Sequence, residues 1–211
     1  MNNLDQAHQD CNSLAEYSRR YMKYLASVME RIDVADIDRL GREIEQARAE
    51  GRTIFVAGNG GSASTATTIA NDLGFGVLLK THADPPFRFF ALTDNTSVMT
   101  AIGNDTGYDN LFAGQLGIYF RPGDRLLVIS CSGNSPNILR AAEYVRSHGG
   151  RVIGFTAFDG GKLASLCDVR VHVPTEPGEY GPAEDMHLIL NHILAHWFLG
   201  RVQADRKVSR G

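Results

Sequence analysis

The sequence has few cysteines, no marked excess of charge and no long apolar run. Cys11, Cys131 and Cys167 are the three cysteines in 211 residues. Their spacing fits neither a zinc site nor a disulfide framework, which indicates free thiols in a reducing compartment. Formal net charge is -3, so the basic footprint of a nucleic-acid-binding domain is missing. No segment approaches the ~18 apolar residues of a membrane span, and the polar N-terminus lacks the apolar core of a signal peptide. We therefore expect a cytoplasmic protein that binds neither nucleic acid nor membranes.

Short apolar segments alternate with helical ones through most of the chain. Strands that are apolar throughout and alternate with helices are typical of a parallel sheet covered on both faces. The predicted strands are 53–57, 87–93, 125–130, 151–156 and 169–173. The predicted helices are 62–73, 95–120 with breaks near Gly103 and Gly107, 136–148, 161–166 and 180–199.

Two further helices are predicted before the first strand. Apolar residues at three- and four-residue spacing predict a helix over 5–30, and Asp36 is a good N-cap for a second helix that stops at Gly51. The stripe of the first helix comprises Leu14, Tyr17, Tyr21, Tyr24, Leu25 and Val28, and it fits packing within one subunit or between subunits. With no repeat or linker, we predict one domain over 1–211: N-terminal helices about 5–50, an α/β core about 53–200 and a frayed, solvated tail over 201–211.

Two Gly/Ser-rich loops follow predicted strands. The first is Gly58-Asn-Gly-Gly-Ser62, and the second is Ser130-Cys-Ser-Gly-Asn-Ser135 before Pro136, a residue suited to the first turn of a helix. Glycine permits close backbone approach, and helix N-termini bind anions. Each loop alone would equally fit a turn with a helix cap. In a parallel sheet, however, ligands bind beyond the carboxyl ends of the strands. Neither a G-x-G-x-x-G nor a G-x-x-x-x-G-K-[ST] motif is present, so the predicted ligand is a small phosphorylated molecule rather than a nucleotide.

These two loops resemble those of the sugar isomerase (SIS) domain superfamily, and within it the phosphoheptose isomerase family. Segments 93–95, 103–105 and 159–162 and the histidine-bearing last helix also fit, so the resemblance spans roughly 10–200. It implies an α/β three-layer sandwich with a five-stranded parallel sheet, in a homotetramer with active sites at subunit interfaces. It also implies an aldose–ketose isomerase that converts sedoheptulose 7-phosphate to D-glycero-D-manno-heptose 7-phosphate through an enediol.

The resemblance assigns roles to individual residues. Isomerisation through an enediol needs a base that moves a proton between neighbouring carbons and an acid that serves the oxygens. By resemblance the base is Asp72 and the acid is His192. Periodicity alone does not distinguish His192 from His187 and His196 on the same helix, so the resemblance makes the choice. The implied substrate- and phosphate-binding residues are Asn59, Gly60, Gly61, Ser62, Asp94, Ser130, Cys131, Ser132, Asn134, Ser135 and Glu184.

The chain departs from the family at positions where many members hold zinc. These positions carry a His and a Glu on one helix and a Gln and a His on the last; here they are Thr68, Asp72, Glu184 and His192. Threonine does not replace imidazole, so the other three would form either a three-ligand zinc site or a metal-free acid–base set. Asp is one methylene shorter than Glu, which leaves another heptulose or hexulose phosphate as an alternative substrate. The alternative function is a non-catalytic SIS protein that binds a sugar phosphate or a replication initiator.

Overall fold

Helices and strands alternate after a helical N-terminal segment in the computed structural model, which describes residues 2–208. The helices are α1 Asn3–Gln9, α2 Leu14–Glu30, α3 Val34–Ala49, α4 Gly61–Ile69, α5 Val77–Thr81, α6 Thr96–Asp105, α7 Leu111–Tyr119, α8 Pro136–Ser147 and α9 Tyr180–Val208. The strands are β1 Thr53–Gly58, β2 Arg88–Ala91, β3 Arg125–Ser130, β4 Arg151–Ala157 and β5 Val169–Val173. A π-helical turn, Ala70–Gly76, joins α4 to α5, and short 3-10 helices cover Tyr108–Asn110 and Lys162–Ser165.

The five strands form one parallel sheet in the order β2-β1-β3-β4-β5. The predicted α/β sandwich with a five-stranded parallel sheet is therefore confirmed. The strand order reverses at the β1/β3 pair, where Gly58 lies opposite Ile129. In sheets of this order, that reversal opens a crevice at the carboxyl ends of the two strands.

Both faces of the sheet are buried under helices, as the apolar composition of the strands predicts. Alternate residues of a strand point to opposite faces, so Val56 and Leu127 pack with α3, α4 and α9. Phe55 and Leu126 pack on the other face with α7 and α8. The helices that follow β1 and β3 thus leave the sheet toward opposite faces.

The N-terminal segment forms three helices, whereas two were predicted. The first predicted helix is interrupted between α1 and α2, where the Ser13 side chain accepts a hydrogen bond from the Glu16 N–H. Ser13-Leu-Ala-Glu16 is the S/T-x-x-E capping pattern, so the sequence carried the signal for this break. The N-cap of α3 is Asp33 rather than Asp36, because its side chain accepts from the Ala35 N–H at 2.8 Å.

The tyrosines of α2 pack against the same chain. The Tyr21 hydroxyl donates to Asp185 at 2.5 Å, and the Tyr24 hydroxyl donates to the fully buried Glu179. Leu14, predicted on the same stripe, is 80% exposed. The stripe therefore serves packing within the subunit from Tyr17 onward, where Tyr17 packs edge-on against His8.

The last helix is longer than predicted. It continues through 201–208 and buries Val202, and the Arg206 guanidinium donates to the Thr81 carbonyl. The prediction of a frayed tail from 201 is thus wrong for this stretch, and its remainder, 209–211, lies outside the described residues. Within 2–208, no helix combines the length and hydropathy needed to cross a membrane.

A buried ion-pair network ties α3 to the first residues of two strands. The Arg125 and Glu43 side chains are 3% and 5% exposed, and Arg125 Nε donates to Glu43 Oε1 at 2.9 Å. Arg125 Nη1 also donates to Glu50 Oε2 at 2.7 Å, and Arg151 Nη2 lies 3.3 Å from Glu43 Oε2. Each buried charge has an opposite partner, as burial of charge requires.

Replacing Arg125 with Met would leave the Glu43 carboxylate buried without its main partner. Loss of one member of a buried pair costs about 3–5 kcal/mol, so we expect a loss of that order in the free energy of unfolding, measured by urea denaturation. The control is Arg42→Met, which removes the same side chain from an exposed pair with Asp38; we expect less than ~1 kcal/mol. Equal losses in both variants would contradict a stabilising role for the network.

Candidate active site

The two Gly/Ser-rich loops meet at the β1/β3 crevice and line one cavity of about 130 Å³. This cavity, called the serine cavity below, brings together side chains from both loops and from the start of α9. Its lining residues are Asn59, Ser62, Ile129, Ser130, Cys131, Ser132, Ser135, Tyr180 and Glu184.

Two helix N-termini without side-chain caps border the serine cavity. The N-cap of α4 is Gly60, at φ 55°, and that of α8 is Ser135, whose hydroxyl makes no capping bond. By contrast, α1, α2, α3 and α6 each have a side-chain cap. Helices α5 and α7 also lack one, but they continue directly from a π-helical turn and a 3-10 helix. The Gly61 and Ser62 N–H groups of α4 and the Asn137 N–H of α8 therefore remain available to an anion, together with the Ser135 hydroxyl. Pro136 has no N–H, and the Ile138 N–H donates to Asn137 Oδ1 at 3.0 Å.

A reciprocal amide pair links the two loops across the crevice. Asn59 Nδ2 donates to Asn137 Oδ1 at 3.0 Å, and Asn137 Nδ2 donates to Asn59 Oδ1 at 2.8 Å. The Tyr108 hydroxyl donates to the same Asn59 oxygen at 3.0 Å. Sequence reasoning missed the buried Asn137 and also Tyr108, because no local pattern predicts a partner 78 residues away.

Asn134 fixes the second loop rather than lining the cavity. Its Nδ2 donates to the Ser132 carbonyl at 2.9 Å, and its Oδ1 accepts from the Lys162 N–H at 3.1 Å. Ser130 Oγ accepts from the Gly133 N–H at 3.1 Å, which closes the turn. The loop is therefore held in shape before any ligand enters.

Asp94 lies apart from the serine cavity. Its carboxylate accepts from the Thr67 hydroxyl, and the side chain borders an open groove at the end of β2. The structure therefore does not bring Asp94 together with the four serines inside one chain.

Cys131 lines the serine cavity as a neutral thiol. Burial raises the pKa of this thiol to about 11, with a further contribution from the Glu184 charge. A protonated thiol at neutral pH is a poor nucleophile, so the arrangement favours a wall residue rather than a covalent role.

Asp72 and His192 lie side by side, with Asp72 Oδ2 4.0 Å from His192 Nε2. Asp72 belongs to the π-helical turn, an irregularity that is frequent at functional sites. Its Oδ2 also accepts from Asn191 Nδ2 at 2.7 Å, which orients the carboxylate. Both members of the pair are partly exposed and line a shallow cleft of about 150 Å³ between α5 and α9.

The three histidines of α9 have different surroundings. His187 is fully buried and stacks on Phe155 at 5.8 Å, and burial lowers the pKa of its imidazole to about 4. It is therefore a neutral core residue. His196 lines the same cleft as His192, as does Lys80, a residue that sequence reasoning did not identify.

Comparison with known proteins places the chain in a family. The SIS domain family pattern matches residues 16–157. The phosphoheptose isomerase of Rhodospirillum rubrum is 44% identical over 147 residues, which cover 70% of this chain and 75% of that protein. The chain belongs to the phosphoheptose isomerase family of SIS-domain proteins.

Further relatives agree in sequence and in fold. The phosphoheptose isomerase of Aneurinibacillus thermoaerophilus is 37% identical over 187 residues, covering 85% of this chain and 90% of that protein. The solved phosphoheptose isomerase of Neisseria gonorrhoeae superposes with a TM-score of 0.79 at 30% identity, covering 88% of this chain and 98% of that one.

The family's zinc positions do not form a metal site within one chain of this member. Thr68 Oγ1 is engaged with the Ser64 carbonyl at 2.9 Å. The Glu184 carboxylate lies in the serine cavity instead of the Asp72 cleft, which His192 lines. Across residues 2–208, no three His, Cys, Asp or Glu side chains converge in a way that could hold a metal ion.

Gly133 is a position where the second loop has no room for a side chain. It has a φ of 61°, and a methyl group added there would lie 2.0 Å from the Gly160 carbonyl oxygen. We expect Gly133→Ala to lower the free energy of unfolding by ~2 kcal/mol or more, from backbone strain and the clash. Chemical denaturation measures this.

The matched control is Gly103→Ala in α6. A methyl group there meets nothing within 4 Å, and the backbone is helical. Alanine is favoured over glycine in helices by roughly 0.5–1 kcal/mol, so this variant should be stabilised. A Gly133→Ala protein as stable as Gly103→Ala would mean that the loop is not held against Gly160.

Proposed function

We propose that this chain is an aldose–ketose isomerase, organised as one SIS domain, that converts sedoheptulose 7-phosphate to D-glycero-D-manno-heptose 7-phosphate. The observation that carries the proposal is the pair of uncapped helix N-termini facing one serine-lined cavity. Family membership and the proximity of Asp72 to His192 support it.

The serine cavity is proposed to hold the phosphate of the substrate. Hydroxyl groups of Ser62, Ser132 and Ser135 line it, and the N–H groups at the starts of α4 and α8 add donors with favourable helix dipoles. Among the described residues, 2–208, no arginine or lysine lines the cavity. Neutral donors of this kind would bind a phosphate while the rest of the sugar extends outward.

Asp72 and His192 are proposed as the acid–base pair. The Asp72 carboxylate removes a proton from C1 of the open-chain ketose, and His192 donates a proton to O2, which gives an enediol. The O1 hydroxyl then loses its proton as C2 gains one, and an aldehyde forms at C1 with no net change in protons. Asn191 holds the Asp72 carboxylate through a 2.7 Å hydrogen bond, so the carboxylate is already oriented before the substrate binds.

A homotetramer with active sites at subunit interfaces is part of the proposal. Ser62 and Asp72 are separated by ten residues, about 15 Å along a helix at ~1.5 Å per residue. Large apolar side chains are exposed near the Asp72 cleft and on the outer face of α9, a feature of interaction surfaces. They are Phe75, Leu79, Ile193 and Trp197. Packing of a second copy there would enclose the cleft and bring further groups to it.

A cytoplasmic location completes the proposal. Cys11, Cys131 and Cys167 are free thiols in the structure, which suits a reducing compartment.

The reaction is tested by NMR in deuterated water with purified, metal-analysed protein and sedoheptulose 7-phosphate. We expect an aldoheptose phosphate to form, and Asp72→Asn and His192→Ala each to lower kcat by roughly 10²–10⁴, the usual contribution of acid–base catalysis. Calorimetric binding of the sugar phosphate should persist in both variants. His148→Ala, which removes an exposed histidine stacked on Tyr144, is the control and should retain turnover.

Two results would contradict the proposal in different ways. Full turnover in Asp72→Asn or His192→Ala would exclude the assigned pair. Saturable binding by the wild-type protein, without turnover or deuterium exchange even after zinc is added, would exclude the reaction. The chain would then be a non-catalytic sugar-phosphate-binding protein.

Subunit association is tested separately with Trp197→Glu. Trp197 is 58% exposed on α9, and a carboxylate there would be desolvated in an apolar interface at high cost. We expect sedimentation velocity to show a tetramer for the wild type and a smaller species for the variant. A carboxylate added at the exposed end of α8, Ser147→Glu, lies on the opposite face of the sheet from α9 and should leave the mass unchanged. A monomeric wild type would contradict the assembly.

A further inference from the structure

The Glu184 carboxylate lies in the serine cavity, against the start of α4. Glu184 is in the first turns of α9, and its side chain reaches across to the start of α4. A methyl group added to Gly61 would lie 2.2 Å from Glu184 Oε2 and 2.5 Å from Oε1. The carboxylate therefore lies directly against the first residue of an uncapped helix.

In the part of the chain that the structure describes, no partner holds this carboxylate in place. Across residues 2–208, neither a hydrogen bond nor an ion pair is formed by Glu184 Oε1 or Oε2. Burial raises the pKa of the Glu184 carboxyl, and the nearby Asp185 charge adds to the shift. The positive end of the α4 dipole is the attractive feature at this position. A side chain that is half-buried and has no hydrogen bond can rotate out of the cavity.

We propose that Glu184 is an internal competitor for the phosphate site: its carboxylate takes the anion position at the start of α4, and an entering phosphate must displace it. This inference rests on the proposed phosphate-binding role of the serine cavity. Two negative charges a few ångströms apart repel strongly in a partly buried site. Glu184 therefore lowers the affinity for phosphorylated ligands, and only a ligand with further contacts outside the cavity binds well.

The test compares Glu184→Gln with Asp185→Asn by titration calorimetry, with inorganic phosphate and sedoheptulose 7-phosphate as probes at low ionic strength. Glutamine keeps the shape of the side chain and removes its charge. We expect Glu184→Gln to bind inorganic phosphate at least about tenfold more tightly than the wild type. Asp185→Asn removes an equal charge one residue away, from a side chain that accepts from Tyr21 and does not line the cavity. We expect it to change affinity less than twofold.

A third variant, Glu184→Asp, separates position from charge. It retains the negative charge but withdraws it from Gly61 by one methylene, so its affinity for phosphate should fall between those of the wild type and Glu184→Gln. Phosphate affinity that is unchanged or weaker in Glu184→Gln, while the wild type still binds sedoheptulose 7-phosphate, would overturn the inference and leave the proposed function intact. If neither protein binds either probe, the phosphate role of the cavity and the inference both fail.

Discussion

The side-by-side placement of β1 and β3 is the constraint on which the rest of the structure depends. The chain leaves β1 toward one face of the sheet and β3 toward the other, so α4 and α8 begin on opposite sides of a single crevice. Their N-termini point at the same space, and the reciprocal Asn59–Asn137 pair spans the gap between their loops. A binding cavity at this place follows from the topology, and the serines give it its chemistry.

Helix α9 connects the core to the candidate site. One face buries apolar residues from Ala183 to Val202 against the sheet, which fixes the helix along its length. This rigid placement determines where Glu184 and His192 lie: the first in the serine cavity and the second beside Asp72. Because the two side chains line different cavities within one chain, they do not form the joint metal site that the family pattern implies.

Several local structural rules are broken where function is proposed. The helices α4 and α8 lack side-chain caps, a π-helical turn carries Asp72, and a carboxylate without a hydrogen bond lies in a cavity suited to anions. Elsewhere buried charged groups have partners: Arg125 and Glu43 form an ion pair, and Glu179 accepts hydrogen bonds from Tyr24 and Asn3. Departures of this kind cost stability, and proteins keep them chiefly at functional sites.

The sequence by itself determined the strands, the parallel sheet, the two loops and the family, because apolar runs and Gly/Ser clusters are local patterns. It also contained the capping signal at Ser13, although the helix break there was missed. Only the tertiary structure decided that Asn137 pairs with Asn59, that His187 is a core residue while His192 lies beside Asp72, and that Glu184 contacts Gly61. These outcomes depend on how distant elements pack, and neither helical periodicity nor residue type encodes which side chains meet across such distances.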